Sequence, residues 1–461
     1  MPDSIRNKRI AWQGFLLLNL AIILFYWWNG SATLFSAQAG LAGILTAFGK
    51  LAGLAAAYAV LLQFFFMGRM PWLERVFGLD KLSRLHHTNG KLALLFIVAH
   101  PILLTVGYAR AANVGLWNQF VLFITQYEHV VWALVGTILF LVVVGSSVYI
   151  VRSKLRYEAW YFVHLLVYLA IFSSFWHQIE VGSDFVVSRV FYSYWVALYT
   201  AVFASHLVFR FARPLYRFSQ HQFEVAKIVR ETASTVSVYI KGKNLAAFPV
   251  RPGQFMIFRF LSQGMWWQAH PFSLSRPTDG EFIRITVKQL GDFTKRVDRI
   301  PTGTKVIIDG PYGVFTDFFC ISKSVLLIAG GIGITPVRSL IEQLSLQGKQ
   351  IVLLYANRTR NDIVFKKELD ALAHEKGIQI QHILSDEPAA KVNMHQHQRA
   401  LAHVNAETGR VDREKIERLV PDVVKRDVFL CGPPPMMDAL IATLRDLGVP
   451  QPQIHFERFS L

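Results

Sequence analysis

Up to about residue 210 the chain is a succession of apolar runs separated by short polar joints; beyond that the pattern changes. The runs cover residues 10–28, 39–67, 88–108, 129–151, 158–178 and 187–210, each near the roughly 20 residues a helix needs to cross a bilayer. From Gln222 onward no apolar run is that long. Residues 237–241, 254–260 and 282–288 read as short strands between Pro and Gly turns, which predicts a small antiparallel barrel. Residues 324–329, 351–355 and 427–431 are apolar strands alternating with helical segments, which predicts a parallel sheet. The expected domains are 1–217, 218–320 and 321–461.

Charge orients the apolar half. Arg6, Lys8 and Arg9 precede the first run, and Arg69, Arg75, Lys81 and Arg84 lie between the second and third. Arg152, Lys154 and Arg156 follow the fourth, and Arg210, Arg213 and Arg217 follow the sixth. All fall on one side of a six-span bundle, the cytoplasmic side by the positive-inside rule, with both termini inside. Much of the net charge of +17 is thereby assigned to topology and membrane lipid, with no need of nucleic acid. Ala37 and Ala39 resemble a signal cleavage site, but the preceding run is longer than a signal core, so a retained helix is expected. Two cysteines, Cys320 and Cys431, exclude a disulfide framework and a four-cysteine iron–sulfur cluster. The stretch with His395, His397 and His403 reads as a solvated insertion.

Four histidines within the apolar runs carry the first chemical signal: His86 and His100 on one, His164 and His177 on another. Ionisable side chains in hydrocarbon are costly and mark function. Fourteen residues of α-helix return a side chain to within about 40° of the same face and about 21 Å further along, which suits His86 with His100 better than His87 with His100. Thirteen separate His164 from His177, so a π-bulge, a kink or different ring rotamers are expected there. Two pairs at matching depths suggest two stacked haems, with metal ligands His86, His100, His164 and His177. His129 and His206 have no mate at this spacing and are read as structural.

In the polar half, the strand at 324–329 runs into Gly330-Gly331-Ile332-Gly333-Ile334-Thr335-Pro336 and then a helix. Glycines at such a turn let backbone N–H groups and a helix N-terminus approach a pyrophosphate. A second turn, Cys431-Gly432-Pro433-Pro434-Pro435-Met436, closes another strand. Two such strand ends in one parallel sheet form a nucleotide crevice.

These turns are joined, in order, by Arg251-Pro252-Gly253-Gln254-Phe255, His270-Pro271-Phe272-Ser273-Leu274-Ser275, Gly291-Asp292-Phe293-Thr294 and Gly310-Pro311-Tyr312-Gly313. The set resembles a ferredoxin-reductase-type dehydrogenase module. Behind six spans with paired histidines, the whole chain resembles the NADPH oxidase and ferric reductase superfamily of transmembrane flavocytochromes b. The resemblance implies a multidomain fold: an all-α six-helix transmembrane bundle, an antiparallel β-barrel FAD domain and an α/β Rossmann-like nucleotide-binding domain. It implies that His270, Pro271, Phe272, Ser273, Leu274 and Ser275 bind FAD, with Phe272 and Ser273 against the isoalloxazine. Gly291 and Thr294 would receive the FAD pyrophosphate. Gly330, Gly331, Gly333, Thr335 and Pro336 would cradle the nicotinamide dinucleotide, with Cys431, Gly432 and Pro433 bringing its ring over the flavin. Phe459 would be the aromatic that covers the flavin, although Leu461 stands where some relatives carry another ring. Phe272, Ser273, Cys431 and Phe459 are thus the catalytic candidates.

After the strand at 351–355, Arg358 occupies a place where an acidic residue would suit a ribose 2′-OH; arginine suits a 2′-phosphate and favours NADPH. The resemblance implies electron flow from cytosolic NADPH through FAD and two b-type haems to an outer acceptor. With histidine on both faces of each iron, oxygen reduction would be outer-sphere. Pro101 can bend its helix, and Arg84, Lys91 and Arg156 can meet haem propionates or serve topology alone. The leading expectation is an NADPH oxidase of a bacterial plasma membrane that makes superoxide, with dehydrogenase domains in the cytoplasm. The alternatives are a ferric-chelate reductase and an electron conduit to a periplasmic protein or quinone.

Overall fold

The computed structural model describes residues 3–148, 152–155, 157–388 and 404–457. It divides into two compact units, Asn7–Arg69 with Lys81–Val208, and Met1–Arg6 with Met70–Asp80 and Phe209–Leu461. Residues 70–80 lie inside the first expected domain, yet they pack with the second unit.

The first unit is helical. Its principal elements are α1 (Asp3–Ser31), α2 (Gly40–Met67), α4 (Leu79–Ala112), α5 (Leu116–Gln126), α6 (Val130–Ser147), α7 (Tyr157–Val181) and α8 (Arg189–Leu207). Among the described residues, six helices are long and apolar enough to cross a membrane, and the chain is a multi-pass membrane protein. Their outward Leu, Phe and Trp side chains are exposed, as expected where lipid is the solvent. Inside, small residues let backbones approach: a Cβ at Gly49 would stand 2.7 Å from Leu104, and one at Gly136 would stand 2.0 Å from the Ser174 hydroxyl.

In the second unit, α3 (Pro71–Phe77) and α9 (Arg213–His221) accompany a barrel of two three-stranded antiparallel sheets. The first orders β1 (Glu224–Thr232), β2 (Thr235–Lys241) and β5 (Phe282–Lys288). The second orders β4 (His270–Ser273), β3 (Phe255–Phe260) and β6 (Val306–Tyr312). Bridges Glu224↔Lys305 and Leu274↔Ile285 join their edges, and alternate residues such as Val236, Val238, Phe258, Phe260, Ile283 and Ile285 fill the interior.

The remaining strands form a six-stranded sheet of order β10-β9-β8-β7-β11-β12, parallel throughout. They are β7 (Ser324–Gly330), β8 (Gln350–Asn357), β9 (Gln379–Leu384), β10 (Val404–Thr408), β11 (Asp427–Cys431) and β12 (Ile454–Phe456). Both faces are covered, as a parallel sheet requires. Val325, Leu327 and Ala329 pack with α10 (Ile334–Leu346) and α11 (Lys366–Lys376), whereas Leu326 and Ile328 pack with α12 (Pro434–Asp446). Strand order reverses between β7 and β11, so the crevice of the sheet opens at their C-terminal ends. The buried Arg284 guanidinium of β5 reaches Glu368 of α11 at 2.5 Å, and Arg338 of α10 meets the same carboxylate at 3.0 Å. One ion cluster therefore fixes barrel to sheet.

Candidate functional site

In the helical unit, the histidines meet in two pairs across α4 and α7. The ring centroids of His86 and His164 are 6.2 Å apart, and those of His100 and His177 are 6.3 Å apart. An imidazole nitrogen lies about 1 Å from its ring centre and a metal–nitrogen bond is about 2 Å, so two imidazoles on opposite sides of one metal place their centroids about 6 Å apart. His87 stays exposed. The thirteen-residue spacing is accommodated without a π-turn, since Tyr157–Val181 is α-helical between its two histidines; a π-turn occurs instead at Val208–Ala212.

The outer nitrogens are arranged for ligation. His100 Nδ1–H donates to the Gly49 carbonyl at 2.8 Å. The Ser147 hydroxyl spends its hydrogen on a Val143 carbonyl and accepts from Trp160 Nε1, so His164 Nδ1, 3.3 Å away, is the donor to it. In both rings the hydrogen bond fixes the Nδ1–H tautomer, with the lone pair on Nε2, which is the usual support of a metal-bound histidine. A Cβ at Gly53 would stand 2.6 Å from His100 Nδ1, so only glycine leaves that ring its place. The four residues can hold two bis-imidazole haems. The structural reading of the other two histidines finds partners: His206 meets Tyr168 Oη at 2.9 Å and the Phe64 carbonyl at 3.3 Å, and His129 pairs with Glu180 at 2.7 Å.

In the second unit, β4 carries His270, Pro271 and Phe272, all half-buried, along the barrel wall. The His270 ring stacks on Phe293 with centroids 3.8 Å apart, and Phe272 lies parallel to Phe293 at 6.4 Å. These rings form an aromatic ledge able to receive a flat conjugated system. Ser273 lies just inside it. Leu274 and Ser275 turn into the barrel, where Ser275 Oγ accepts from Arg284 Nε at 3.0 Å and from Thr286 at 2.9 Å. Thr294 Oγ1 accepts from the N–H groups of Leu290 and Gly291 at 3.0 and 2.9 Å, shaping an exposed turn open above Gly291.

The two glycine turns come together at the sheet crevice. A Cβ at Gly333 would stand 2.3 Å from the Cys431 carbonyl, one at Gly330 would stand 2.5 Å from Met436 Sδ, and one at Gly432 would stand 3.3 Å from Gly330. Gly331, at φ +52°, leaves open space where a phosphate can approach. Ile334, Thr335 and Pro336 begin α10, so a helix N-terminus follows directly on that turn. Pro433 precedes α12, which opens on Pro434 and Pro435 and so has no N–H in its first two positions. Cys431 is buried, and burial with the neighbouring Glu457 carboxylate pushes its thiol well up. It is a small buried side chain that shapes the turn.

Two carboxylates absent from the sequence reading converge here. Glu74, from α3, accepts the Gly313 N–H at 2.6 Å, and a Cβ at Gly313 would stand 2.7 Å from Glu457 Oε2. Both side chains are buried. Burial pushes Glu74 up to about 7, against the pull of the Gly313 bond and Arg75; burial and the facing Glu74 hold Glu457 well above the carboxylate range. Gly313, at φ +98°, is the residue that permits both. A carboxylate fourteen residues before the expected third span gave no local signal; Glu457 stands two residues from the aromatic Phe459, which lies outside the described residues, as do His395, His397, His403 and Arg156. Arg358 is exposed at the end of β8.

Residues 217–316 match the family described as FAD-binding domain and 327–441 the family described as Oxidoreductase NAD-binding domain. Residues 52–175 match Ferric reductase like transmembrane component. Ledge, crevice and spans are thus the features of a membrane-held chain with FAD- and NAD-binding domains of oxidoreductase type. The three families in this order match the architecture of the NADPH oxidase and ferric reductase superfamily.

The chain is 30% identical over 243 residues to the 3-ketosteroid-9-alpha-monooxygenase, ferredoxin reductase component, of Rhodococcus rhodochrous, covering 51% of this chain and 64% of that protein. It is 28% identical over 244 residues to a Flavohemoprotein of Xylella fastidiosa, covering 52% and 58%. The chain thus spans less than two thirds of the length of these curated relatives. A solved structure of the flavohem-like FAD/NAD binding domain of nitric oxide dioxygenase from Vibrio cholerae is 25% identical, with a TM-score of 0.43, covering 51% of this chain and 96% of that one.

Proposed function

We propose that the chain takes electrons from NADPH on the cytoplasmic side of the plasma membrane and delivers them to oxygen on the outer side, releasing superoxide. The observation that carries this reading is the pair of imidazole pairs, 6.2 and 6.3 Å between centroids, stacked along α4 and α7. When bound, FAD supplies the exchange between the two-electron chemistry of nicotinamide and the one-electron chemistry of haem iron. His86 with His164 would hold the inner haem and His100 with His177 the outer one. Gly49 and Ser147 fix the ring tautomers that ligation needs. His270, Phe272 and Phe293 provide the stacking surface for the flavin, and the paired turns at Gly330–Gly333 and Cys431–Pro433 let the dinucleotide backbone approach. Imidazoles on both faces of a metal leave no open position, so oxygen would meet the haem edge.

Stopped-flow absorbance of the purified, haem- and FAD-loaded chain tests this. Anaerobic reduction of both haems by NADPH, then fast reoxidation by oxygen with superoxide-dismutase-sensitive product, is expected. NADPH consumption without superoxide would overturn it.

One observation favours ferric reduction as the second reading. Glu128, His129 and Glu180 bring one ligand atom each within 4.8 Å of one another, and Glu180 lies three residues beyond His177 on α7. Hard oxygen donors with one imidazole suit an iron substrate. Faster haem reoxidation by a ferric chelate than by oxygen would select it.

A further inference from the structure

The inference below rests on the nucleotide-binding reading of the sheet crevice and concerns which dinucleotide it takes. At the end of β8 the sequence places Arg358 and Arg360, two cations suited to a 2′-phosphate. Tertiary structure adds an acid that the sequence keeps twenty-seven residues away. The turn after β9 is fastened to this strand end: Ser385 N–H donates to the Asn357 carbonyl at 3.0 Å and Asp386 N–H to the Arg358 carbonyl at 2.9 Å. The next side chain, Glu387, is thereby laid over Arg360. Its Oε1 accepts the Arg360 backbone N–H at 2.6 Å and its Oε2 lies 3.5 Å from the Arg360 guanidinium Nε.

Glu387 is mostly buried, at 15% exposure against 28% for Arg360, so the pair is not a freely solvated surface contact. The other acid of this turn is committed elsewhere: Asp362 accepts from both Thr359 N–H and Thr359 Oγ1. The site nonetheless retains unused polar capacity. Arg360 Nη2 is buried and makes no hydrogen bond among the described residues, and the buried Asn357 amide, 7% exposed, has the Tyr355 hydroxyl as a partner and capacity to spare. Buried groups of this kind mark a place where a polar ligand belongs.

We propose that Glu387 is a nucleotide-specificity residue, an internal competitor that occupies Arg360 in place of a dinucleotide 2′-phosphate. A 2′-phosphate gains the Arg360 guanidinium only by displacing this carboxylate from it, whereas a ribose 2′-hydroxyl leaves the pair as it is. Among the described residues Arg358 makes no ion pair, and it stands at the same strand end to favour the phosphate. The chain therefore discriminates between NADP and NAD less than its two arginines imply, and the carboxylate of Glu387 sets the ratio.

Glu387→Gln tests this, because the amide oxygen can still accept the Arg360 N–H while the charge is gone. Calorimetric titration of NADP⁺ and NAD⁺ into the purified full chain is the readout, independent of turnover. Glu387→Gln is expected to shift the ratio of dissociation constants about tenfold toward NADP⁺, the size of one charge-assisted hydrogen bond. In an Arg360→Ala background the same change is expected to shift nothing. An unchanged ratio in Glu387→Gln, or an equal shift without Arg360, overturns the proposal while leaving the nucleotide site standing. Failure of either nucleotide to bind the unmodified chain overturns both.

Discussion

The membrane bundle and the nucleotide module build their sites from opposite materials. In the bundle, the proposed haem sites consist of four side chains on two helices, and the backbone is occupied with its own hydrogen bonds, as lipid demands. In the module, the crevice is backbone: Gly330, Gly331, Gly333 and Gly432 stand where a Cβ would collide or close the approach, and side chains from distant segments hold that backbone in place. A side-chain site fails when its ligand is removed, with the scaffold intact. A backbone site fails when a remote support is removed, with every motif residue intact.

The largest effect is expected in the bundle. His100→Ala should halve the haem content per chain and stop delivery of electrons to the outer acceptor, while NADPH still reduces the flavin; visible spectra and anaerobic reduction measure both. Collapse of the whole bundle instead would break the comparison. In the module, Arg284→Ala leaves Glu368 and Arg338 without the buried cation between barrel and sheet, and should cost about 3 kcal/mol of module stability, read by denaturant unfolding followed through flavin fluorescence. Gly313→Ala places a methyl group against Glu457 at φ +98° and should cost about 2 kcal/mol by the same measurement.

The smallest effect is a pH dependence. Glu74 is raised by burial from 4.5 to about 7, so the folded protein binds its proton more tightly than the unfolded chain does. Its contribution to stability is complete below about pH 4.5 and is lost as pH rises through about 7. Glu74→Gln, which keeps an acceptor for the Gly313 N–H, should flatten the decline of melting temperature across that window, with a residual slope from Glu457. An identical slope in both proteins would remove Glu74 from the titration.

The two regions also differ in how far they could be read in advance. The spans, the choice of His86 over His87 and the two glycine turns were legible because each is a local pattern: a run length, a helical period, a strand followed by glycines. Ser275 was read as a flavin contact because it belongs to a contiguous motif, yet its side chain is spent on Arg284 and Thr286 inside the barrel. Glu74 and Glu387 gave no signal, since an isolated glutamate in a polar stretch looks like any solvated one.

The sequence by itself therefore determined the order of the domains, the depth of the four histidines and the backbone freedom of the nucleotide turns, because periodicity and glycine content act over a few residues. Only the tertiary structure decided which acids oppose which groups: Glu74 and Glu457 across Gly313, Glu368 between two arginines, Glu387 over Arg360. Burial and charge pairing depend on what folds alongside a residue, and those partners are separated from it by tens to hundreds of positions along the chain.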